Sequence, residues 1–410
     1  MLNILFLSHR VPFPPNKGEK IRTFHQLKFL GDKGHSISVL APFEEDLELD
    51  FFKALEKQYC EMAVGIKLSN KLLRLCSGLI KEKALSIANF YSNDLQKGFD
   101  ELLKNKKFDA IICTASSMAE YVFKSQWLKE NPGPALLMDF MDLDSDKWRQ
   151  YSERSGLPMK WVYQRETKLI NKFELNIAAH FDACFFITDA EKALFSKDAP
   201  NNDNIFAIEN GMDTETFKPA TTPITSEQPI LLFTGVMDYA PNVDAVVWFV
   251  ENVWSEILAK WPEAKFYIAG MSPSDKVNNL SKHKGIVVTG FVEDILPYFH
   301  QATIFVGPFR IARGVQNKVL QAFACGVPVV STNMGAEGIR CKNQESILLA
   351  ATPEEFVDRI ETLTLDKALS QSIADNALAI IHQHYAWEGV LAPFDRILNQ
   401  AVTAKVKTPK

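Results

Sequence analysis

The sequence lacks any apolar run of the roughly 18 residues that a membrane-spanning helix needs. Its first 15 residues include a short apolar run, with no basic segment before it and no small-residue cleavage site after it. This pattern predicts a first buried strand and argues against a signal peptide. We therefore expect a cytoplasmic protein, with peripheral contact to the inner membrane face as an open alternative.

Excess positive charge and paired cysteines are also missing. A net charge of −5 argues against nucleic acid as the main partner, so any anion site must be local. The cysteines form no CxxC pair and lie mostly in apolar stretches, which predicts reduced, buried thiols and neither a disulfide framework nor a zinc site. They are Cys60, Cys76, Cys113, Cys184, Cys325 and Cys341.

What the chain does contain is a regular alternation of short apolar β-rich runs with longer helical patterns. At 410 residues it is too long for one core. Continuous apolar strands separated by helices predict parallel sheets covered on both faces. The Pro-rich and Ser/Thr-rich segment 219–229 predicts a linker. We expect an N-terminal domain over 1–218, a C-terminal domain over 230–385, and a final helix and tail over 386–410 that packs back on the first domain.

Glycine follows three successive strands of the second half, at positions 235, 270 and 290. Open parallel sheets bind ligands at the carboxyl ends of their strands, and glycine permits close approach of the backbone. Gly235 and Gly290 are therefore predicted to contact a ligand, and main-chain groups near Val292 to read the edge of a base. The alternative is that each glycine only makes a strand-to-helix turn.

Cations and a glycine lie at the start of a helix that we predict to begin at residue 313. Arg310, Arg313 and Lys318 carry positive charge there, and Gly314 allows an anion to approach the helix start. Backbone N–H groups and the helix macrodipole favour an anion at this position. The pattern predicts a diphosphate site.

Three separated motifs carry a resemblance to a known family. Residues 230–332, which include "QAFACGVPVV" at 321–330, resemble the C-terminal domain of GT-B glycosyltransferases of the retaining family-four type. The segment 208–219, "IENGMDTETFKP", is similar to the family's domain-closing signature, and 8–40 is similar to its opening glycine loop, helix and strand. More narrowly, the stretches "RVPFPPNKGEKIR", "DFMDLDSDKW" and "RGVQNKVL" resemble sugar transferases of exopolysaccharide and exosortase-type systems.

The resemblance implies two Rossmann-like domains that face each other across a cleft. It implies a retaining transfer of a sugar from a UDP- or GDP-linked donor, bound by the C-terminal domain, to a glycan or lipid-linked acceptor on the N-terminal domain. No cofactor and no metal are expected. Two alternatives remain, namely a sugar-nucleotide epimerase or phosphorylase on the same fold, and a non-catalytic sugar-nucleotide-binding subunit.

One departure from the family pattern concerns two glutamates eight positions apart. Arg313 and Gln321 occupy the matching positions here. The second glutamate normally accepts a hydrogen bond from the donor ribose, and the amide oxygen of Gln321 can still accept one. We interpret Arg313 as a phosphate clamp completed by Lys318, both of them catalytic because they hold the leaving diphosphate, and a weakened site is the alternative.

In the first half, the resemblance implies that the loop and helix start with Gly18, Lys20 and Arg22 face the donor phosphates. The alternative is a surface loop with solvated charges. His9 follows the first strand, where it could contact the acceptor or serve as a structural histidine.

The acidic cluster 138–148 follows another predicted strand. The spacing of its aspartates mimics a calcium loop, but Lys147 replaces the required glycine. A metal-binding DxD motif is the other alternative. We prefer an acceptor-side role for Asp139 and Asp144, with Asp142 as the catalytic group that contacts the acceptor hydroxyl.

Residues 67–90 form a cationic amphipathic segment. Such a segment could rest on anionic lipid. The alternative is a helix that faces the core and keeps a solvated basic face.

Overall fold

A computed structural model of the chain describes residues 1–15, 18–80, 82–131, 133–200, 202–222, 226–311 and 315–407. The chain divides into two compact units, Met1–Gly211 with Val390–Lys410 (unit 1) and Met212–Gly389 (unit 2). In the described part of the chain, no helix is both long and apolar enough to cross a membrane.

Unit 1 is built on a seven-stranded parallel sheet in the order β3-β2-β1-β4-β5-β6-β7. Its central strands are fully buried because they consist of continuous apolar runs such as "ILFL" and "AIIC". The strands are β1 (Asn3–Ser8), β2 (Ser36–Phe43), β3 (Met62–Lys67), β4 (Ala110–Thr114), β5 (Ala135–Met141), β6 (Ala183–Phe186) and β7 (Ile205–Ala207).

Ten helices and one 3-10 turn, Ser116–Met118, connect and cover these strands within the described residues. The helices are α1 (Gly18–Asp32), α2 (Glu48–Gln58), α3 (Lys71–Ile80), α4 (Leu85–Phe90), α5 (Asn93–Asn105), α6 (Ala119–Lys124), α7 (Gln126–Glu130), α8 (Asp144–Arg154), α9 (Met159–His180) and α10 (Asp189–Ser196).

Unit 2 contains a six-stranded parallel sheet in the order β10-β9-β8-β11-β12-β13. The strands are β8 (Ile230–Thr234), β9 (Lys265–Ala269), β10 (Ile286–Gly290), β11 (Ile304–Gly307), β12 (Val329–Ser331) and β13 (Leu348–Leu349). Around them lie α11 (Ala240–Phe249), α12 (Ser255–Lys260), α13 (Asp275–Leu280), α14 (Leu296–Gln301), α15 (Asn317–Ala324), α16 (Pro353–Leu365) and α17 (Lys367–Ile380). Two π-helical turns, Val250–Trp254 and Ile381–Tyr385, complete the unit.

The long last helix, α18 (Trp387–Lys407), belongs to unit 1 from Val390 onward. There the ring of Phe394 packs against that of Phe185 in β6, with 4.8 Å between the ring centroids. Residues 212–218, which the sequence analysis assigns to the first domain, fall in unit 2, because the Met212 N–H donates to the Tyr385 carbonyl at 2.6 Å.

The predicted fold class, two α/β units each with a parallel sheet, is confirmed by this architecture. All six cysteines are free thiols. Cys113, Cys184 and Cys325 are buried as predicted, whereas Cys76 is exposed.

Candidate functional site

The loop after β8 is shaped by two glycines at the carboxyl edge of the unit 2 sheet. Gly235 and Gly270 have φ angles of +155° and +148°. A Cβ atom at Gly270 would lie 1.7 Å from the Gly235 carbonyl oxygen, and one at Gly235 would lie 3.1 Å from Lys318 Nζ. The Gly235 N–H donates to Ala269 O at 3.0 Å. Only glycine allows the ends of β8 and β9 to approach this closely and still leave room for a lysine head group.

Lys318 lies in the first turn of α15, where its ammonium group is held over the end of β8. Nζ donates to Asn242 Oδ1 at 2.6 Å and lies 5.1 Å from the ring centroids of both Phe233 and Phe309. Burial lowers the pKa of Lys318 to about 8. The ion pairs found among the described residues do not include Lys318. The site therefore holds a half-buried cation that no described carboxylate neutralises, and an anionic ligand can supply the missing charge.

Asn242 fixes the position of this cation. It lies in the first turn of α11, is 5% exposed, and donates through Nδ2 to the Val236 carbonyl at 2.9 Å. With its amide group oriented by that bond, Oδ1 points its lone pairs at Lys318. Asn242 gives no signal in the sequence, because a single amide after "YAP" belongs to no recognisable motif.

Arg310 follows β11, and α11 engages its guanidinium. Nε donates to Asp244 Oδ2 at 3.0 Å, Nη2 pairs with the other carboxylate oxygen, and the guanidinium lies 5.8 Å from the ring centroid of Trp248. The pKa of Arg310 is raised by its hydrogen bond to Asp244. This arrangement differs from the predicted role of Arg310 in the diphosphate site, because a bidentate carboxylate partner already neutralises the charge.

The remaining predicted donor-side residues are distributed around the same edge. Gln321 lies one turn after Lys318 on α15 and is half-buried. Gly290 ends β10, and half-buried Val292 lies in the loop that follows. Arg313 and Gly314 fall outside the described residues, so their predicted roles remain predictions from the sequence.

Large apolar side chains stay exposed in the loops at this edge. They follow β8, β9, β10, β11 and β12 in turn, and they are Val236, Tyr239, Met271, Phe291, Ile311, Val315 and Met334. Phe291, beside Val292, is 71% exposed. Exposed apolar side chains around a cationic centre form a surface suited to a ligand with both flat apolar and anionic parts.

In unit 1, Arg22 lies in a buried ion pair. Its side chain is 1% exposed and Nε donates to Asp139 Oδ2 at 2.7 Å, with Asp139 itself fully buried. Nη1 donates to the Ile208 carbonyl at 2.9 Å and to Asn210 Oδ1 at 3.1 Å. Arg22 was predicted to face the donor and Asp139 the acceptor. The structure instead places both inside unit 1, where they tie α1 to β5 and to the segment after β7.

The loop after β5 is held by three carboxylates. The N–H groups of Met141, Leu143 and Ser145 donate to Asp139 Oδ1, Glu191 Oε1 and Glu174 Oε1, each at 3.2 Å. Asp142, between the first two of these donors, is exposed at the end of the strand. The backbone N–H groups of residues 141, 143 and 145 are thus bound to side-chain carboxylates, while the Asp142 side chain stays exposed. Its predicted catalytic role requires this exposure.

Two neighbouring carboxyl groups beneath this loop are hard to ionise. Burial raises the pKa of Glu174 to about 8, and the charge of Asp144 adds to the effect. Burial also raises the pKa of Asp144, whose Oδ2 accepts a hydrogen bond from Ser116 Oγ at 3.1 Å. Asp144 is therefore half-buried against the 3-10 turn at Ser116. Glu174, in the middle of α9, gave no signal in the sequence.

His9 and Lys20 lie near a pocket of about 290 Å³ in unit 1. His9 follows β1, is 9% exposed, and packs edge-on against Phe90 with 5.6 Å between the ring centroids. It lines the pocket together with Glu44, Asn89 and aromatic rings. The Lys20 ammonium lies 5.6 Å from the ring centroid of Phe51, another lining residue. Gly18 is the first residue of α1. Aromatic faces beside carboxylate and amide groups suit a sugar.

A larger pocket, of about 550 Å³, lies in unit 2 between the start of α17 and residues 325–328. It includes Pro328, just before β12, and so lies at the amino edge of the sheet. Ligand sites of open parallel sheets form at the carboxyl edge. We therefore assign the functional site to Lys318 and its loops.

No group of three or more His, Cys, Asp or Glu side chains in the described ranges is arranged to hold a metal ion. Metal independence remains a prediction. In the acidic cluster after β5, Asp144 accepts a hydrogen bond from Ser116, and Asp146 forms a surface ion pair with Arg149, with 2.6 Å between Oδ1 and Nη2.

Comparison with known families identifies the domain that carries the Lys318 site. Residues 228–366 match the family described as "Glycosyl transferases group 1". This match begins just before β8 and ends after α16, so it includes Gly235, Asn242, Arg310 and Lys318.

Matches to a relative and to solved structures cover nearly the whole chain. The "Uncharacterized 44.6 kDa protein in cps region" of Klebsiella pneumoniae is 22% identical over 94% of this chain and 97% of that protein. The crystal structure of Anabaena Alr3699/HepE in complex with UDP and glucose superposes with a TM-score of 0.60 at 15% identity, covering 98% of this chain and all of that one. A glycosyltransferase from Rickettsia africae superposes with a TM-score of 0.63 at 14% identity, over 98% and 99% of the two chains. The chain thus has the GT-B fold, and residues 228–366 in its second half match the group 1 glycosyltransferase family.

Proposed function

We propose that this protein is a retaining glycosyltransferase that moves a sugar from a nucleotide-diphosphate donor to a glycan or lipid-linked acceptor. The observation that carries the proposal is the Lys318 ammonium group, which is half-buried beside Gly235 with no described carboxylate partner. Complexes of Anabaena Alr3699/HepE with UDP and with UDP-glucose support UDP as the first donor nucleotide to test, with GDP as the second.

In the proposed reaction, the bond between the anomeric carbon and the diphosphate breaks while a bond from that carbon to the acceptor oxygen forms on the same face. Lys318 and the start of α15 stabilise the departing diphosphate. The acceptor proton passes to the departing phosphate oxygen or to Asp142, which is exposed at the end of β5. Arg313 and Gly314 contribute to the clamp in this proposal on the strength of the sequence alone.

The proposed biological setting is synthesis of an exopolysaccharide or another cell-surface polysaccharide. The relative from a Klebsiella pneumoniae cps region supports this setting. We further propose that the transfer needs no metal, since Lys318 provides positive charge where the diphosphate would lie. We place the protein in the cytoplasm, in keeping with its six free thiols.

Helix α3 supports peripheral contact with a membrane. Its side chains at Leu72, Leu73, Leu79 and Ile80 are 71%, 68%, 52% and 83% exposed, and Lys71 precedes them. An exposed apolar face beside basic residues is typical of interfacial helices. The core-facing alternative does not account for four exposed aliphatic side chains.

A binding and turnover experiment tests the proposed function. UDP and GDP are titrated calorimetrically with and without EDTA into the wild type, Lys318→Met, and a matched control, Lys282→Met, which replaces an exposed lysine of the same unit. We expect Lys318→Met to weaken binding by about 10- to 100-fold, as loss of a charge-assisted contact predicts, and the control to bind normally. Equal affinities in both variants, or binding that requires metal, would refute the proposed clamp.

Turnover separates the alternatives. Slow hydrolysis of UDP-sugar without acceptor is expected of a transferase and is absent in a non-catalytic binder. An epimerase would change the sugar of the donor without releasing UDP, and a phosphorylase would need inorganic phosphate. NMR of the product's anomeric proton tests retention.

A further inference from the structure

A second pocket in unit 1, of about 400 Å³, is lined by four basic side chains from four parts of the chain. We call it the α3–α5 pocket, because α3, α4 and the start of α5 form its walls. Its basic residues are Arg74, Lys83, Lys97 and Lys124.

Arg74 is the most deeply buried of these residues, at 5% exposed. Nη2 pairs with Glu44 at 2.6 Å and Nη1 donates to the Ser69 carbonyl. Nε is buried and has no hydrogen-bond partner among the described residues. Leaving a buried guanidinium N–H unpaired costs free energy, so an acceptor oxygen that reached Nε would be stabilised.

Two other lysines of the pocket share one carboxylate. Lys83 and Lys124 both pair with Glu120, the latter at 3.2 Å. The Lys124 ammonium also lies 3.6 Å from the centroid of the Tyr91 ring. Two ammonium groups against one carboxylate leave an excess of one positive charge, while exposed Lys97 and Asp94 add one charge of each sign.

The start of α5 adds to this positive potential. Ser92 Oγ caps the helix by accepting the Asp94 N–H at 3.2 Å, and both Ser92 and Asn93 line the pocket. The positive end of a 13-residue helix macrodipole therefore faces the same space as the basic side chains.

We propose that the α3–α5 pocket binds a phosphate group. Its place beside the exposed leucines of α3 suits a phosphate at the head of a lipid, because Arg74 and Leu73 come from the same helix and line the same pocket. Glu44, the partner of Arg74, also lines the sugar-sized pocket next to His9. This inference rests on the proposed function, since it assigns a phosphate-bearing sugar or lipid to the acceptor side.

The test uses variants that leave Lys318 and the buried Arg74 unchanged. Lys97→Gln with Lys124→Gln removes two charges from the pocket, and Lys104→Gln with Lys129→Gln removes two charges from exposed positions outside it. Thermal unfolding midpoints check that both double variants fold. Inorganic phosphate is titrated calorimetrically with UDP saturating the unit 2 site, so that phosphate bound near Lys318 does not contribute.

We expect the pocket variant to bind phosphate about tenfold or more weakly than the control pair, as loss of charge-assisted hydrogen bonds predicts. Equal phosphate affinity in the two double variants, or no phosphate binding by the wild type, would overturn the proposal. UDP affinity, measured separately in each variant, should not change. Because failure of the proposed function would appear as absent UDP binding, the two failures are distinguishable.

Sedimentation with lipid vesicles distinguishes a lipid headgroup from a soluble phosphate ester as the source of the phosphate. Sedimentation with phosphatidylcholine vesicles that contain phosphatidylglycerol is compared with sedimentation with pure phosphatidylcholine vesicles. If the pocket variant loses lipid-dependent sedimentation and the control does not, the phosphate belongs to a lipid headgroup. If both sediment equally while phosphate binding differs between them, the ligand is a soluble phosphate ester.

Discussion

Lys318 Nζ donates a hydrogen bond to Asn242 Oδ1 at 2.6 Å, across 76 positions of the sequence. A neutral amide orients the ammonium group without cancelling its charge. A carboxylate at the same place would form an ion pair and reduce the attraction for a diphosphate. The choice of amide over carboxylate is therefore the feature that keeps this site ready for an anion.

Replacing Asn242 by aspartate tests that relationship. We expect Asn242→Asp to weaken UDP binding by about tenfold or more, because the new carboxylate neutralises Lys318 and repels the diphosphate. Isothermal calorimetry measures the affinity. Asn252→Asp, at an exposed position of the same unit, adds the same charge and should bind UDP as the wild type does.

The pH dependence of UDP binding tests the charge on Lys318. Because the pKa of Lys318 is lowered to about 8, we expect UDP affinity to fall as pH rises through about 8. Lys318→Met should bind weakly and show no such step. A wild-type affinity that stays constant to about pH 10 would contradict the lowered pKa.

Whereas UDP affinity should fall as pH rises, the contribution of Lys318 to the free energy of unfolding should increase with pH. Its native pKa lies below its unfolded value, so the unfolded chain binds more protons between the two. Stability relative to Lys318→Met should therefore rise as pH increases from about 8 toward 10.5. Thermal unfolding in the absence of nucleotide measures this difference.

Glu174 predicts a pH effect on unit 1. Its pKa is raised from 4.5 to about 8, so the native state holds a proton that the unfolded state releases. The stability linked to that proton is present below about pH 4.5 and is lost as pH rises toward 8. Glu174→Gln keeps an acceptor for the Ser145 N–H without the charge. We expect this variant to gain stability over the wild type as pH increases through that window. If the stability difference between Glu174→Gln and the wild type stays the same at every pH, the raised pKa of Glu174 is refuted.

The buried pair of Arg22 and Asp139 predicts a large loss of stability when one partner changes. Asp139→Asn leaves the guanidinium charge uncompensated, which should reduce the free energy of unfolding by about 3–5 kcal/mol. Asp146→Asn, which breaks the surface pair with Arg149, should cost less than about 1 kcal/mol. Urea titrations that give similar losses for both variants would show that burial of the first pair has little energetic weight.

Prediction of the site from sequence was uneven for physical reasons. Lys318 was predicted to hold the leaving diphosphate and Gly235 to contact the donor. The two residues do lie together, since the carboxyl ends of parallel strands share one edge. Arg310 was assigned to the same role from its charge alone, but Asp244 and Trp248 engage it on α11. A positive charge in a sequence does not reveal which carboxylate will neutralise it.

The sequence alone is enough to predict two α/β units with parallel sheets. Apolar runs of strand length that alternate with helices are buried in this kind of fold. The sequence also determined which strands end in glycine. The tertiary structure decided which charges are available. Arg22 meets Asp139 across 117 positions, Glu174 is drawn under the loop of Asp142, and Lys318 faces an amide instead of an acid. These pairings join side chains that are far apart in the sequence and meet only in the folded sheets, so they cannot be predicted from local sequence patterns.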